Sequence, residues 1–330
     1  MDFAEIEKFL VSGDGGAIAA ARRLAARWLP ASAKRAIRRL VPARFLDTPP
    51  ATRRFSLALP TAPADLGPVS RDDAAPKSLR IEAPGQSYVA RLLEAGGLAG
   101  YEPETMAAFL AGLTVRQARV AFDVGANMGI FSLVAAALTT TRVVGFEPTP
   151  DLAAMFRSIA TRNGLTCEIE PIALGARTGI ATLYLSSWTD SSNSLQQGFR
   201  TATGTVEVPV ERLDDHVART GRVPAVLKID TETTEPDVLA GGISLLREVR
   251  PWLICEVLAG QTEEPLMTIL GPLGYEMHHL GPDADHRPAD RIVGDPTWRH
   301  RDWLFTPEPL PPAFAVHYAA WRDAIATAGA

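Results

Sequence analysis

The sequence predicts an α/β fold, a mostly parallel sheet with helices on both faces, and three observations carry that prediction. Short, fully apolar runs recur from residue 119 onward, segments of helical character separate them, and acids or turn-forming residues stand where the runs end. Strands buried on both faces read as continuous apolar runs, and parallel neighbours need a helical crossover between them. "RVAFDV" (119–124) and "RVVGFE" (142–147) are the first two predicted strands, with a helix from Ile130 to about Leu138 between them. A helix over 151–163 follows Pro148 and Pro150 and stops at Asn163-Gly164. "TCEIEPIAL" (166–174) reads as the third strand, and "GIATLYLS" with "TVEVPVERL" as a hairpin-like pair flanking a polar loop at 186–204. "AVLKID" (225–230) and "PWLICEV" (251–257) resume the parallel series around a helix from Glu235 to Leu246. "YEMHHL" and "RDWLFTP" close the order, the latter as the last strand.

Composition bounds the function. The chain has 330 residues, 46% hydrophobic and 22% charged, enough apolar material for one large domain with extensions. A formal net charge of −5 argues against whole-chain nucleic-acid binding, which depends on a basic field against phosphate. Cys167 and Cys255 lie in apolar segments with no CxxC or histidine spacing that would make a zinc site. With no basic, apolar secretion signal in "MDFAEIEKFL" and no run as long as a membrane span, a cytoplasmic location is expected.

Residues 1–46 are expected to form a basic helical extension. Positions 17–44 hold eight basic residues and no acid, with Leu24, Trp28, Ile37, Leu40 and Val41 at helical spacings. Such a face suits peripheral contact with a membrane surface, or packing on the main domain or on a second subunit in a homodimer. Residues 47–86 are expected as a proline-rich linker, 87–310 as the main domain and 311–330 as a C-terminal helix.

In open parallel sheets, ligands bind beyond the carboxyl ends of the strands, where the strand order reverses. In "VAFDVGANMGIFS" (120–132), Gly125 and Gly129 bracket such a turn. A GxGxxG turn clears room for a pyrophosphate; here Asp123 precedes the turn and Asn127 takes the second glycine's place, which repels a pyrophosphate. Glu147, 22 residues past Gly125, has the spacing of an acid that accepts from ribose hydroxyls. Adenosine with a free ribose and no phosphate, carrying a sulfonium and an amino-acid tail, is consistent with both acids.

"DVGANMGIFS", "GFEPTP", "IALG", "ERLDDHV", "LKIDTETTEPDVLAGG" and "LICEV", in that order, resemble the FkbM family of S-adenosylmethionine-dependent methyltransferases. The resemblance implies a seven-stranded, Rossmann-like class I methyltransferase sheet whose last strand is antiparallel. It implies methyl transfer to a hydroxyl of a sugar-containing or polyketide-type natural product, a small-molecule acceptor. It places Asp123, Gly125, Asn127 and Gly129 in the cofactor loop, Glu147 on the ribose and Ala173 beside the adenine. The family pattern after Asp230 has a glycine where this chain has Thr233, whose branched carbon would narrow the space there.

Asp230, Glu232 and Glu256 end the fourth and fifth parallel strands and are expected at the sheet edge beside the cofactor, Asp230 touching it. Carboxylates held together raise one another's pKa, which makes one a base for a hydroxyl proton. Two of them could instead hold a divalent ion such as magnesium, a reading not favoured because no further acid or Asn is obviously placed to complete its shell. His216 is a further base candidate, placed just before a strand, as is one of His278 and His279; Trp188, Asp190, Ser191 and Asn193 lie in the candidate acceptor loop, and Tyr101 with "EPET" resembles the family's entry segment, where a tyrosine could cover the cofactor or pack on the sheet. N-methylation, and a cofactor-binding scaffold without turnover, stand as alternatives.

Overall fold

The structure, a computed structural model, describes residues 52–63, 75–186, 189, 191–282 and 286–328. The predicted basic helices of residues 1–46, with the membrane or dimer contact expected of 17–44, lie outside the described residues.

A seven-stranded sheet forms the centre. Its strands, in chain order, are β3 (Val120–Val124), β4 (Arg142–Phe146), β5 (Glu168–Glu170), β9 (Val226–Ile229), β10 (Trp252–Glu256), β11 (Glu276–His279) and β12 (Asp302–Thr306). Their spatial order is β5-β4-β3-β9-β10-β12-β11. β3, β4, β5, β9 and β10 run parallel, and β12 is antiparallel to both of its neighbours. The order reverses between β3 and β9, whose carboxyl ends meet at Val124 and Ile229.

Both faces of the sheet are buried. Ala121, Val143, Val226, Ile254 and Leu304 belong to one apolar cluster, and Phe122, Val144, Leu227, Leu253 and Phe305 to the other. These neighbours in sequence alternate between faces because successive strand side chains point opposite ways. The crossovers are helical: α3 (Ile130–Leu138) follows β3 and α4 (Pro150–Arg162) follows β4. The helix α2 (Pro103–Val115) packs against α9 (Pro312–Thr327), which buries Phe314 and Trp321 in the first cluster. Losing either aromatic from such a site costs about 3–5 kcal/mol. Among the described residues, no helix is long and apolar enough to cross a membrane.

Four expectations are corrected. Part of the predicted linker is structured: β1 (Thr52–Ala58) and β2 (Ser78–Pro84) pair antiparallel, and Leu57, Leu79 and Ile81 join the core. Proline content hid this strand pair because the prolines lie outside the paired positions except Pro84, at its end. The predicted third strand is two: Pro171 follows β5, and β6 (Ala173–Leu174) leaves for a separate sheet with β7 (Gly179–Ser186) and β8 (Ala202–Glu211). A proline cannot donate to a ladder, so it suits the point of departure. Residues Leu213–Thr220, expected to precede a strand, form helix α5 with Asp214 and Asp215 in its first turn. The helix predicted over 235–246 is two, α6 (Glu235–Gly241) and α7 (Ile243–Glu248), divided at Gly242.

Candidate active site

The turn after β3 is built by backbone bonds to the end of β4. Gly125 and Ala126 both donate their N–H to the Phe146 carbonyl, each at 3.0 Å. Gly125, Asn127 and Gly129 all have positive φ, at +77°, +53° and +82°. A Cβ on Gly125 would lie 1.8 Å from the Asp230 carbonyl oxygen, and one on Gly129 would lie 2.2 Å from the Phe156 ring. Both glycines are therefore required by protein neighbours: the first lets the turn meet the end of β9, the second lets α3 start against α4.

Glu147 ties this turn to the start of α4. Its Oε2 accepts the Asn127 N–H at 2.8 Å and its Oε1 accepts the Thr149 N–H at 2.7 Å. Burial pushes the carboxyl up, and the bonds from Thr149 and Asn127 oppose that. Asn127 in turn accepts the Met128 N–H on its own Oδ1 at 2.7 Å.

An open cleft runs along the carboxyl edge of the sheet; Gly125, Asn127, Glu147, Ala173, Asp230 and Glu232 all line it. Asp123, Gly129, Glu256 and His216 are not among its lining residues. Asp123 lies beneath the turn, where its Oδ2 accepts from the Ser132 N–H at 3.1 Å and the Ser132 hydroxyl at 2.6 Å. It anchors the first turn of α3 through Oδ2, while its Oδ1 is buried with no hydrogen-bond partner among the described residues. Burial raises its pKa, with Lys228, its partner across the strands, opposing.

At the end of β9, Lys228 Nζ donates to Asp230 at 3.0 Å and faces the Phe131 ring at 4.6 Å. Burial pushes the Asp230 carboxyl up, yet Lys228 and Arg301 outweigh it and hold the group below its ordinary range. Glu232 is pushed up to about 8 by burial and by Asp230. Glu256, almost wholly buried and ion-paired with Arg301, is raised well above the usual carboxylate range by burial and by Asp230 and Glu232. Asp230, Glu232 and Glu256 offer oxygens that all lie within 4.8 Å of one another. The three acids that the sequence expected at the sheet edge thus meet there, and Arg301 supplies a cation beside Glu256.

Glu235, not singled out in the sequence, builds the turn that carries these acids. Its Oε1 accepts the Thr231 N–H at 2.8 Å, the Thr231 hydroxyl at 3.0 Å and the Thr233 N–H at 3.2 Å. Thr233 has φ +95°, a region that favours glycine, and its side chain meets the Ser194 hydroxyl at 3.2 Å. It is outside the cleft wall, so the cost of replacing the family's glycine falls on the backbone and not on the space for a ligand.

The histidines are corrected. His216, in α5, is fully buried edge-on to the Phe122 and Phe146 rings, with Nδ1 3.0 Å from Glu211. It packs behind the sheet and reaches no cleft. His278 Nδ1 donates to the His286 carbonyl at 2.8 Å and His279 Nε2 to the His300 carbonyl at 3.0 Å, both outside the cleft wall. Of the acceptor-loop candidates, Ser191 and Asn193 do line the cleft, and Trp188 and Asp190 lie outside the described residues. Tyr101 lines it too, as does Glu102, to which sequence reasoning gave no role, and Arg301, which it missed. An acid before a helix-starting proline was a usable signal for Glu102; Arg301 had none, because an antiparallel strand delivers it.

Residues 123–284 match the family profile described as Methyltransferase FkbM domain. No curated protein matches the sequence. Among solved structures the chain is similar to methyltransferase FkbM from Methylobacillus flagellatus KT, with 17% identity, 57% of this chain and 43% of that one covered, and a TM-score of 0.36. It is similar to the O-methyltransferase TomG from Streptomyces achromogenes, involved in tomaymycin synthesis and solved with S-adenosylmethionine (13% identity, 61% and 77% covered, TM-score 0.35). A third is an O-methyltransferase from Bacillus cereus in complex with S-adenosylhomocysteine (12%, 66% and 88%, 0.36). The chain spans less than half the length of the Methylobacillus protein. The family match begins at Asp123 and runs through the turn, Glu147, Asp230, Glu232 and Glu256. Residues 123–284 are thereby an FkbM methyltransferase domain.

Proposed function

We propose that the protein is an S-adenosylmethionine-dependent O-methyltransferase acting on a hydroxyl of a sugar-containing or polyketide-type small molecule. The observation that carries the reading is a single cleft lined both by Glu147, beyond β4, and by Asp230 and Glu232, beyond β9. S-adenosylmethionine, when bound, supplies a methyl group activated by the sulfonium charge.

The chain's residues provide the rest. Each Glu147 oxygen already accepts one backbone N–H and keeps a lone pair, which suits the two hydroxyls of a ribose. Ala173 offers a small apolar wall for the adenine. Asp230, kept ionised by Lys228 and Arg301, provides negative charge toward a cationic ligand. Glu232, at about 8, exchanges its proton near neutral pH and takes the hydroxyl proton of the acceptor. The in-line displacement otherwise needs alignment, which the turn and the walls of the cleft supply. Arg301 fills the cationic role beside Glu256, so we read the three acids as working without a divalent ion. The excess of acids over Lys228 and Arg301 also suits an amine acceptor; N-methylation is the second reading, in which the acids bind the amine.

Calorimetric titration with S-adenosylmethionine, S-adenosylhomocysteine and NAD, with and without magnesium, tests the cofactor. Micromolar binding of the first two alone, unchanged by magnesium, is expected. Failure of both to bind the folded protein would sink the reading. A screen of hydroxyl against amine acceptors then separates O- from N-methylation.

A further inference from the structure

Glu102 opens α2 in the left-handed region, with φ +47° and ψ +52°. A non-glycine residue there costs about 1–2 kcal/mol, and the following Pro103 further disfavours helix-like backbone in the residue before it. No helix cap compensates: the Glu102 side chain accepts nothing from the first turn. Its carboxyl instead belongs to the cleft wall, with Asp302, Asp230, Lys228 and Arg301 as its charged neighbours. Oε2 is shut off from solvent and has no hydrogen-bond partner among the described residues. Strain of this kind persists at positions that a ligand uses.

The chemistry of the missing partner is constrained. An ionised carboxylate only accepts, so the partner is a donor. Three acids, Glu102, Asp230 and Asp302, face Lys228 and Arg301, and both cations are engaged, Lys228 with Asp230 and Arg301 with Glu256. A cation is therefore the partner that lets Glu102 ionise, since neither protein cation is free to do so. It is separate from the ribose ligand, since Glu147 extends from β4 whereas these charges gather around β9 and β12.

We propose that Glu102 binds the α-ammonium group of the cofactor's amino-acid tail. This rests on the cofactor reading above. Burial and the Asp302 and Asp230 charges push the Glu102 carboxyl up to about 8, so near neutral pH it gives its proton to solvent as the ammonium arrives. No covalent bond is made.

The test is calorimetry on the full chain with S-adenosylhomocysteine and with 5′-methylthioadenosine, which keeps the adenosine and sulfur but lacks the tail. Glu102→Gln is expected to weaken S-adenosylhomocysteine at least about tenfold, leave 5′-methylthioadenosine within about twofold, and abolish the proton release seen when buffers of different ionisation enthalpy are compared. Glu102→Gly, which suits the positive φ, is expected to do the same in a protein at least as stable as the wild type. Unchanged S-adenosylhomocysteine affinity in either folded variant overturns the proposal, and so does equal weakening of both ligands. Should neither variant fold, the wild type decides: N-acetylation of S-adenosylhomocysteine must cost at least about tenfold, and equal affinity overturns the role. A wild type that binds neither ligand fails the cofactor reading itself, and this inference with it.

Discussion

The Glu147 carboxylate accepts the Asn127 N–H at 2.8 Å, so the acid at the end of β4 fixes the turn that follows β3. One side chain thereby shapes the cleft and presents its remaining lone pairs to it. Asp123, four residues before Asn127, commits its Oδ2 to the Ser132 N–H and hydroxyl and is outside the cleft wall.

The two acids are expected to separate in mutagenesis. Glu147→Ala should weaken S-adenosylhomocysteine at least about tenfold and lower stability by about 1–3 kcal/mol, because two backbone donors lose their acceptor. Asp123→Ala should cost a similar about 1–3 kcal/mol in chemical denaturation while the folded protein keeps affinity within about threefold. Equal loss of affinity in both would return Asp123 to the ligand.

Gly129→Ala is expected to destabilise by about 2–4 kcal/mol, from the clash with Phe156 and the positive φ together. Adding Phe156→Leu should restore part of that loss, because the smaller side chain can yield. No recovery in the double variant would place the whole cost on the backbone.

Thr233→Gly should stabilise the protein by about 1 kcal/mol, since relieving φ +95° outweighs the lost contact with the Ser194 hydroxyl. Thr233 is outside the cleft wall, so cofactor affinity should hold. Thermal melting with calorimetry checks both; a lower melting temperature would show that the hydroxyl contact dominates.

The site also sets a pH dependence. Glu102 and Glu232, at about 8, and Glu235, at about 7, hold protons more tightly folded than unfolded. Their contribution to stability is complete below the ordinary carboxylate range and is lost as pH rises through 7 to 8. His278, lowered by burial, acts oppositely, its contribution being lost as pH falls through its folded-state titration. Glu256, Asp302, Asp123 and Glu147 are raised as well, so the raised carboxyls outweigh His278; the melting temperature should fall between about pH 5 and pH 8.5, and Glu232→Gln should flatten the slope. A melting temperature that rises across this range would refute the assignment.

The sheet was legible in the sequence because each apolar run is a local property, and the acids at strand ends were legible because a parallel strand delivers its last residue to the ligand edge. Asp230, Glu232 and Glu256 were found on that ground, and Asp123 and Glu147 also by the glycine turn and their spacing from it. Their roles were not legible, because a buried carboxylate takes its protonation and its partners from chain far away in sequence. Strand register sets Asp123 against Lys228. The reversed strand β12 brings Arg301 onto Glu256, 45 residues distant, and Asp302 beside Glu102. Helix α5 turns His216 into the aromatic packing behind the sheet, where no spacing rule could have sent it. The sequence by itself determined the parallel strands of the central sheet and the acids at their ends; the tertiary structure decided which of those acids are ionised, because low-dielectric burial makes each charge depend on its few nearest neighbours.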